Sequence, residues 1–420
     1  MTTASSTDLL SDRSLPSAAR RWLGIVRNLP NGTLDLTAPD GRSLTLGGRA
    51  PGEAAILHIL DWQAAADMLD RAEIGLAEAY REGRLDTPDL TRLLLFFVNN
   101  ADALAHHFYA RPLAAAWFAL KHWARSNTRR QARRNIQAHY DLSNAFYSRW
   151  LDETMTYSSA LFPASSPECG NTAPPSETPQ GRHTRLAEAQ RQKYRRILDT
   201  LGIRAGDRVL EIGCGWGGFA EEAARRGARV HGLTLSPAQL EYARGRLAQA
   251  GLDSKVELEI RDYRDSQGEF DHVVSIEMFE AVGERYWRSY FDTVAARLKR
   301  GGKAMIQAIT IAEQAFASYR RGSDFIREYI FPGGMLAPLS RMRADAAKSG
   351  LATLDVCSFG LDYAQTLALW QQRVDDETPA IMALGFDERF LKIWRFYLSY
   401  CEAGFRSQRT DVHQILLGAS

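Results

Sequence analysis

The stretch Val209-Leu210-Glu211-Ile212-Gly213-Cys214-Gly215-Trp216-Gly217-Gly218 decides the fold. A short apolar run meets a cluster of glycines, and a helical pattern follows over 217–226. Such a run reads as a buried strand that turns sharply into a helix. Glycine allows the tight turn and lets a ligand come against the backbone. Two familiar ligands of such a turn are disfavoured by what is missing. A dinucleotide site asks for an acidic residue about 20 positions later to hold ribose hydroxyls. Here the second strand ends in Thr234-Leu235-Ser236 instead. A Walker-type phosphate loop asks for Lys-Ser/Thr after the glycines, and none follows.

Outward from this turn, strand and helix patterns alternate. Strands are expected at 208–212, 229–235, 256–260, 272–276 and 303–309, with later ones at 352–359 and 413–417. Ser236-Pro237 reads as the cap of a helix running to about 250. Strands separated by helices at this spacing predict a parallel, doubly wound sheet. Upstream, residues 20–105 read as a small α+β domain. Strands at 25–29 and 33–36 flank Pro30-Asn31-Gly32, a hairpin signal. Pro39-Asp40-Gly41 leads to a strand at 43–46, and helices follow at 61–82 and 88–105, the second capped near Asp86-Thr87-Pro88. The predicted organisation is a flexible start (1–20), an N-terminal domain (21–125) and a larger domain (126–420) interrupted by a flexible loop. That loop, 163–182, holds five prolines.

Composition narrows the function classes. The 420 residues are 45% hydrophobic and 24% charged, ordinary for a globular protein, which excludes wholesale disorder. Fifty-two Lys+Arg against 50 Asp+Glu leave a net charge of +2, so there is no global nucleic-acid footprint. No apolar run reaches the roughly 18 residues that span a bilayer, and the start lacks a secretory pattern. Cys169, Cys214, Cys357 and Cys401 are scattered, with no Cys-x-x-Cys pair. Neither a metal site nor a disulfide framework is expected, and a reduced, cytoplasmic setting is. The segment 103–140 has no acidic residue and carries Arg111, Lys121, Arg125, Arg129, Arg130, Arg133 and Arg134 among Trp117, Phe118 and Trp123. Such a stretch suits peripheral contact with an anionic membrane surface, and equally a solvated face between domains.

The Glu-Ile-Gly-Cys-Gly-Trp-Gly-Gly form is similar to the S-adenosylmethionine loop of class I methyltransferases. Arg261-Asp262-Tyr263-Arg264-Asp265 follows the third strand, where that fold holds the adenine. More specifically, the chain resembles the cyclopropane fatty acid synthases and the related mycolic acid methyltransferases. The residues that carry the resemblance are His139-Tyr140-Asp141-Leu142-Ser143-Asn144-Ala145-Phe146-Tyr147, Met155-Thr156-Tyr157-Ser158-Ser159-Ala160, the glycine turn, Gly232-Leu233-Thr234-Leu235-Ser236, Ser275-Ile276-Glu277-Met278-Phe279-Glu280 and Tyr329-Ile330-Phe331-Pro332-Gly333-Gly334. Gly75-Leu76-Ala77-Glu78-Ala79-Tyr80 looks like the family's N-terminal lipid-interacting domain. The resemblance implies a seven-stranded, mostly parallel sheet of Rossmann-like α/β class with helical insertions and an antiparallel last strand, beside the small α+β domain. It implies methyl transfer from S-adenosylmethionine to a cis double bond of a membrane phospholipid acyl chain, with a homodimer as the oligomer it suggests. Cofactor contacts carry over onto Tyr157, Ser158, Gly213, Gly215, Thr234, Gln239 and Asp262, with Tyr263 beside the last. Tyr329, Phe331, Tyr363, Phe396, Tyr397 and Tyr400 are candidates to line a cation-tolerant pocket.

The resemblance also implies a bound bicarbonate as base, held by a Cys, a Glu, a His, a Tyr and a backbone amide. Glu280, Tyr329 and the amide of Ile309 fill three of these places. Ser159 stands in the Cys position, Gln307 in the His position, and Ala281 where a His usually follows the Glu. Serine and glutamine can donate hydrogen bonds, but glutamine cannot carry positive charge, and charge-assisted bonds are about twice as strong. Weak bicarbonate binding, or none, is expected. The product is then a cyclopropane from a rebuilt site, or a methyl-branched or methylene chain. A methyltransferase for a soluble small molecule and a non-catalytic lipid-binding protein are the other readings.

Overall fold

In the computed structural model, which describes residues 7–108, 142–163 and 178–419, the strand before the glycine turn lies inside a seven-stranded sheet. The N-terminal strands are β1 (Asn31–Thr37), β2 (Ser43–Gly47), β3 (Ala50–Ile59) and β4 (Leu85–Asp86). They are followed by β5 (Arg208–Ile212), β6 (Arg229–Thr234), β7 (Val256–Ile260), β8 (Phe270–Ile276), β9 (Leu298–Ile311), β10 (Leu351–Ser358) and β11 (Thr410–Ala419). The large sheet has the order β10-β11-β9-β8-β5-β6-β7. From β5 to β9 every pairing is parallel, while β11 runs antiparallel to both neighbours, β9 and β10. This is the mixed α/β architecture expected, with an antiparallel last strand.

Side-chain chemistry explains the sheet. Val209, Leu210 and Ile212 of β5 are almost wholly buried, as a parallel strand covered on both faces requires. Ser236 caps the helix Pro237–Gln249, its hydroxyl accepting from the Gln239 N–H, with Pro237 in the first turn. The chain moves outward through β6 and β7, then returns to the other side of β5 as β8. The crevice at the carboxyl ends of β5 and β8 is therefore a topological switch point, where open α/β sheets bind ligands.

The N-terminal domain departs from its expected pattern in several places. Residues 25–26 close the helix Ser17–Val26, whose buried stripe is Trp22, Leu23, Ile25 and Val26. The predicted strand at 25–29 misread the end of that stripe. Asn31 and Gly32 open β1 rather than a hairpin turn. Gly32 has φ +73°, and a Cβ there would lie 2.3 Å from Glu53 O of β3. The close parallel approach of β1 and β3 is what requires this glycine. The hairpin joins β1 to β2 around Pro39-Asp40-Gly41, as expected. Asp89, not the preceding Asp86-Thr87-Pro88, caps the helix Leu90–Asn99 by accepting from Arg92 N. The helical stretch then breaks at Asn100, whose buried side chain bonds to both the N–H and C=O of Asn31. From Thr7 onward the start is helical rather than free, with Leu9 and Leu15 in the core.

The N-terminal elements share one continuous core with the helices Asn144–Trp150, Gly360–Asp376 and Glu388–Arg406, while the large sheet packs in separate clusters. The helix Leu90–Asn99 packs on Glu388–Arg406. Thr91 donates to Glu402 at 3.0 Å and Arg389 pairs with Glu82 at 2.6 Å. The expected boundary at 125/126, the basic segment 111–134 and residues 164–177 of the proline-rich loop lie outside the described residues. The end of that loop is helical, because Thr178 caps Pro179–Leu201. Among the described residues no helix is long and apolar enough to cross a membrane.

Candidate active site

The glycine turn is fixed from two sides. The N–H groups of Gly213 and Cys214 both donate to Leu233 O of β6 at 2.9 Å. Gly213 has φ +85°, and a Cβ there would meet Met278 Cγ at 3.0 Å. Gly215 has φ +51° and would meet nothing within 4 Å. Its missing side chain leaves space open beside the turn. A cavity of about 440 Å³ occupies this crevice. One end is walled by Glu211, Gly213, Gly215, Thr234, Gln239, Asp262 and Tyr263. It continues past Tyr157, Ser158, Glu277, Glu280 and Ile309 to Phe331, Tyr363, Tyr397 and Tyr400.

The cofactor end fits S-adenosylmethionine. Glu211 is 3% exposed and its Oε2 has no hydrogen-bond partner. Burial holds its carboxyl well above the usual range. An unpartnered buried acid at a glycine turn suits the ammonium group of an amino-acid ligand. The Thr234 hydroxyl donates to Gln239 Oε1 at 3.0 Å, which leaves the Gln239 amide hydrogens for a ligand. Asp262 accepts from Arg264 N, Nε and a terminal guanidinium nitrogen, so it is held rigid at the wall. Tyr263 lies edge-on to Tyr290, with ring centroids 5.4 Å apart. Gly215→Val is expected to weaken S-adenosylmethionine binding about 10- to 100-fold, since a branched side chain fills the open space at an unfavourable φ. Titration calorimetry checks this, and unchanged affinity would place the ligand elsewhere.

The chemistry end is built around two carboxyls that follow β8. Glu277 accepts from Ser159 N–H at 2.8 Å and Gln307 Nε2 at 2.8 Å, both on Oε1. Its Oε2 accepts from Tyr363 OH at 2.7 Å. Its φ is +51°, a left-handed conformation that a non-glycine residue seldom adopts. Glu280 Oε1 accepts from Ile309 N–H. Its Oε2 is buried at the cavity wall without a partner. Burial, and then the charge of Glu277, push the Glu280 carboxyl up to about 8. Behind Glu277 lies Lys193, wholly buried on the helix Pro179–Leu201. Its ammonium donates to Ser158 Oγ at 2.6 Å and sits 4.6 Å from the Tyr194 ring centroid. Burial lowers it to about 7, against the pull of Glu277 and Asp152.

The expected site residues are thus brought together with two exceptions, Tyr329 and Phe396, and some changed roles. Ser159 contributes its backbone amide; its hydroxyl turns to Ala160 O. Gln307 donates to Glu277 rather than into open space. Ile309 presents its amide to Glu280 as a fixed contact. Tyr157 OH bonds to Tyr397 OH at 2.7 Å, joining the cofactor end to the aromatic end. Tyr329 stands apart from the cavity lining, and its hydroxyl donates to Glu78 of the N-terminal domain. Phe396 is fully buried, packed on Phe325 with centroids 4.7 Å apart, and is core. Sequence reading missed Glu211, Glu277 and Lys193 as site residues. Glu211 and Glu277 sit inside quoted motifs, but nothing in their spacing points to Lys193, 84 positions before Glu277.

Known proteins similar to this chain share its fold and point to one family. The family model described as mycolic acid cyclopropane synthetase matches residues 127–415. The chain is 40% identical over 386 residues to a tuberculostearic acid methyltransferase of Mycobacterium tuberculosis, covering 91% of this chain and 86% of that protein. It is 30% identical over 378 residues to a cyclopropane-fatty-acyl-phospholipid synthase of Escherichia coli, covering 89% of each. Among solved structures, the mycolic acid cyclopropane synthase CmaA1 complexed with SAH and CTAB superposes with a TM-score of 0.60 at 28% identity, over 68% of this chain and 98% of that one.

Proposed function

The chain belongs to the mycolic acid cyclopropane synthetase family of S-adenosylmethionine-dependent methyltransferases, and from that premise we propose that it methylates the cis double bond of a phospholipid acyl chain to give a methyl-branched or methylene fatty acid. The observation that carries the reading is a cavity lined by the glycine turn, by Glu280 with its unpartnered oxygen, and by Phe331, Tyr363, Tyr397 and Tyr400. S-adenosylmethionine, when bound, supplies an electrophilic methyl group. The alkene that takes it becomes a cation on the acyl chain. Tyr397, Tyr400 and Phe331 offer electron-rich faces to that charge and keep water out. Glu280 then accepts a proton from the methylated chain.

Two observations favour a product without a ring. The base is a carboxyl anchored to the chain at Ile309 rather than a small anion free to move with the substrate. The similarity to a tuberculostearic acid methyltransferase, at 40%, exceeds that to a cyclopropane-fatty-acyl-phospholipid synthase, at 30%. The basic segment 111–134 supports a substrate at an anionic membrane surface. The test is incubation with methyl-trideuterated S-adenosylmethionine and vesicles of cis-monounsaturated phospholipid, followed by mass analysis of the fatty acids. Three retained deuteriums mean a proton lost from the chain and a methyl-branched alkene. Two retained mean a proton lost from the new methyl group, and NMR then separates a methylene product from a ring. A cyclopropane as the sole product would overturn the reading, and no labelled lipid at all would point to a soluble substrate.

A further inference from the structure

Glu277 occupies surroundings that suit a bound anion. Three donors from separate parts of the chain converge on its two oxygens: the Ser159 amide in a loop, the Gln307 side chain on β9, and Tyr363 on the helix Gly360–Asp376. The direction of the Gln307 amide is enforced from behind. Arg196 donates to Gln414 Oε1 at 2.6 Å, and Gln414 Nε2 donates to Gln307 Oε1 at 3.0 Å. With both acceptor oxygens taken, each amide must present its hydrogens forward, and the chain ends on Glu277. Burial raises the Glu277 carboxyl, and the buried cation Lys193, then these three hydrogen bonds, pull it back toward the ionised form.

Two of these donors belong to residues at positions expected to hold a bicarbonate. A third expected donor, the Ile309 amide, is held by Glu280. The residues present therefore do not fit a free anion. Their hydrogens are committed, and a further negative charge would lie beside two buried carboxyls with one lysine to balance them. We propose that the Glu277 carboxylate is a resident anion that takes the place of dissolved bicarbonate among Ser159, Gln307 and Tyr363, so that this enzyme turns over without bicarbonate. The proposal rests on the methyl-transfer reading above and adds a positioning residue to it.

The proton step balances without a co-reactant. A C–H bond of the methylated cation breaks, its electron pair forms the new C=C bond and cancels the positive charge, and the proton passes to Glu280 Oε2. Glu277 transfers nothing. Its fixed negative charge keeps Glu280 basic and offsets the positive charge on the substrate. The left-handed backbone at 277 marks the geometry as imposed by the surrounding contacts.

The test uses the full chain, S-adenosylmethionine and cis-monounsaturated phospholipid vesicles in carbon-dioxide-stripped buffer. Wild type is expected to methylate lipid at a rate within about twofold of that with added bicarbonate. Glu277→Gly suits the positive φ and leaves the three donors around a hole. It is expected to lose about 100-fold or more in rate and to recover part of it with formate or bicarbonate. A merely structural role for Glu277 would give no anion rescue. A wild-type rate that collapses without bicarbonate, or a Glu277→Gly variant at full rate without any anion, would overturn the proposal. Binding of 13C-bicarbonate by NMR reads the same site without turnover. Wild type is expected not to bind and Glu277→Gly to bind, and the reverse refutes the proposal. Failure of wild type to methylate lipid even with bicarbonate would instead sink the methyl-transfer reading.

Discussion

Glu280→Gln is expected to lower kcat by about 10²- to 10⁴-fold, the usual contribution of a general base, with S-adenosylmethionine affinity unchanged. The amide keeps the shape of the carboxyl and can still accept from Ile309 N–H, but it cannot take a proton. In wild type the rate is expected to rise with pH through about 8, where Glu280 becomes ionised. Burial sets this first, then the charge of Glu277 after the same strand, against the hydrogen bond from Ile309 N–H; Lys193 faces Glu277, and the buried hydroxyls of Tyr290 and Tyr319 face Glu280 from the neighbouring helices. Stability must move the other way. The folded carboxyl holds its proton up to about 8, against an ordinary value of 4.5. Its stabilising contribution is therefore complete below the unfolded value and is lost as pH rises through the folded one. Glu280→Gln removes that loss, so the melting temperature of the variant relative to wild type should climb between those two values. A flat rate profile, or a kcat within tenfold of wild type, would remove Glu280 from the chemistry.

How much of this was legible in the sequence depends on the range of each signal. The glycine turn is local: strand, positive-φ glycines and helix cap lie within about 30 residues, and all fell where the pattern put them. The short parallel strands β5 to β8 were equally clear. Failures came where a residue's role depends on a distant partner. Gly32 looked like a turn because Asn-Gly usually is one, yet the backbone of β3 dictates it. The helix end at 25–26 mimicked a strand because two buried positions in one turn carry no period. At the site, Ser159 and Gln307 were singled out by their positions, and both donate to Glu277. That partner was not visible, because Glu277 and Glu280 differ by three positions in one motif and only the fold shows which donors each receives. Tyr329 matched its motif but reaches Glu78, a contact between domains that no local pattern encodes.

Lys193→Met should cost about 3–5 kcal/mol of stability, because it leaves a buried carboxylate without its cation. Methionine matches the lysine stem in length and keeps the apolar contact with Tyr194, so the loss is electrostatic rather than a cavity. Two acids feel the change: Glu277 most, then Asp152, whose Oδ1 is buried without a partner. If the pair is the cause, adding Glu277→Gln to Lys193→Met should return a substantial part of the loss. Neither single variant can do this, since each leaves one charge stranded. The double-mutant cycle should therefore show a favourable coupling of about 1–3 kcal/mol, well outside the additivity expected of independent sites. Urea melts of the four proteins at neutral pH measure it. Strict additivity would mean that Lys193 serves Ser158 and the helix alone, and that Glu277 is held by its three hydrogen bonds without a counter-charge. Coupling with no recovery of activity in the double variant is the expected combination: a neutral pair rebuilds the fold, but it supplies no anion beside the cation that the reaction must form.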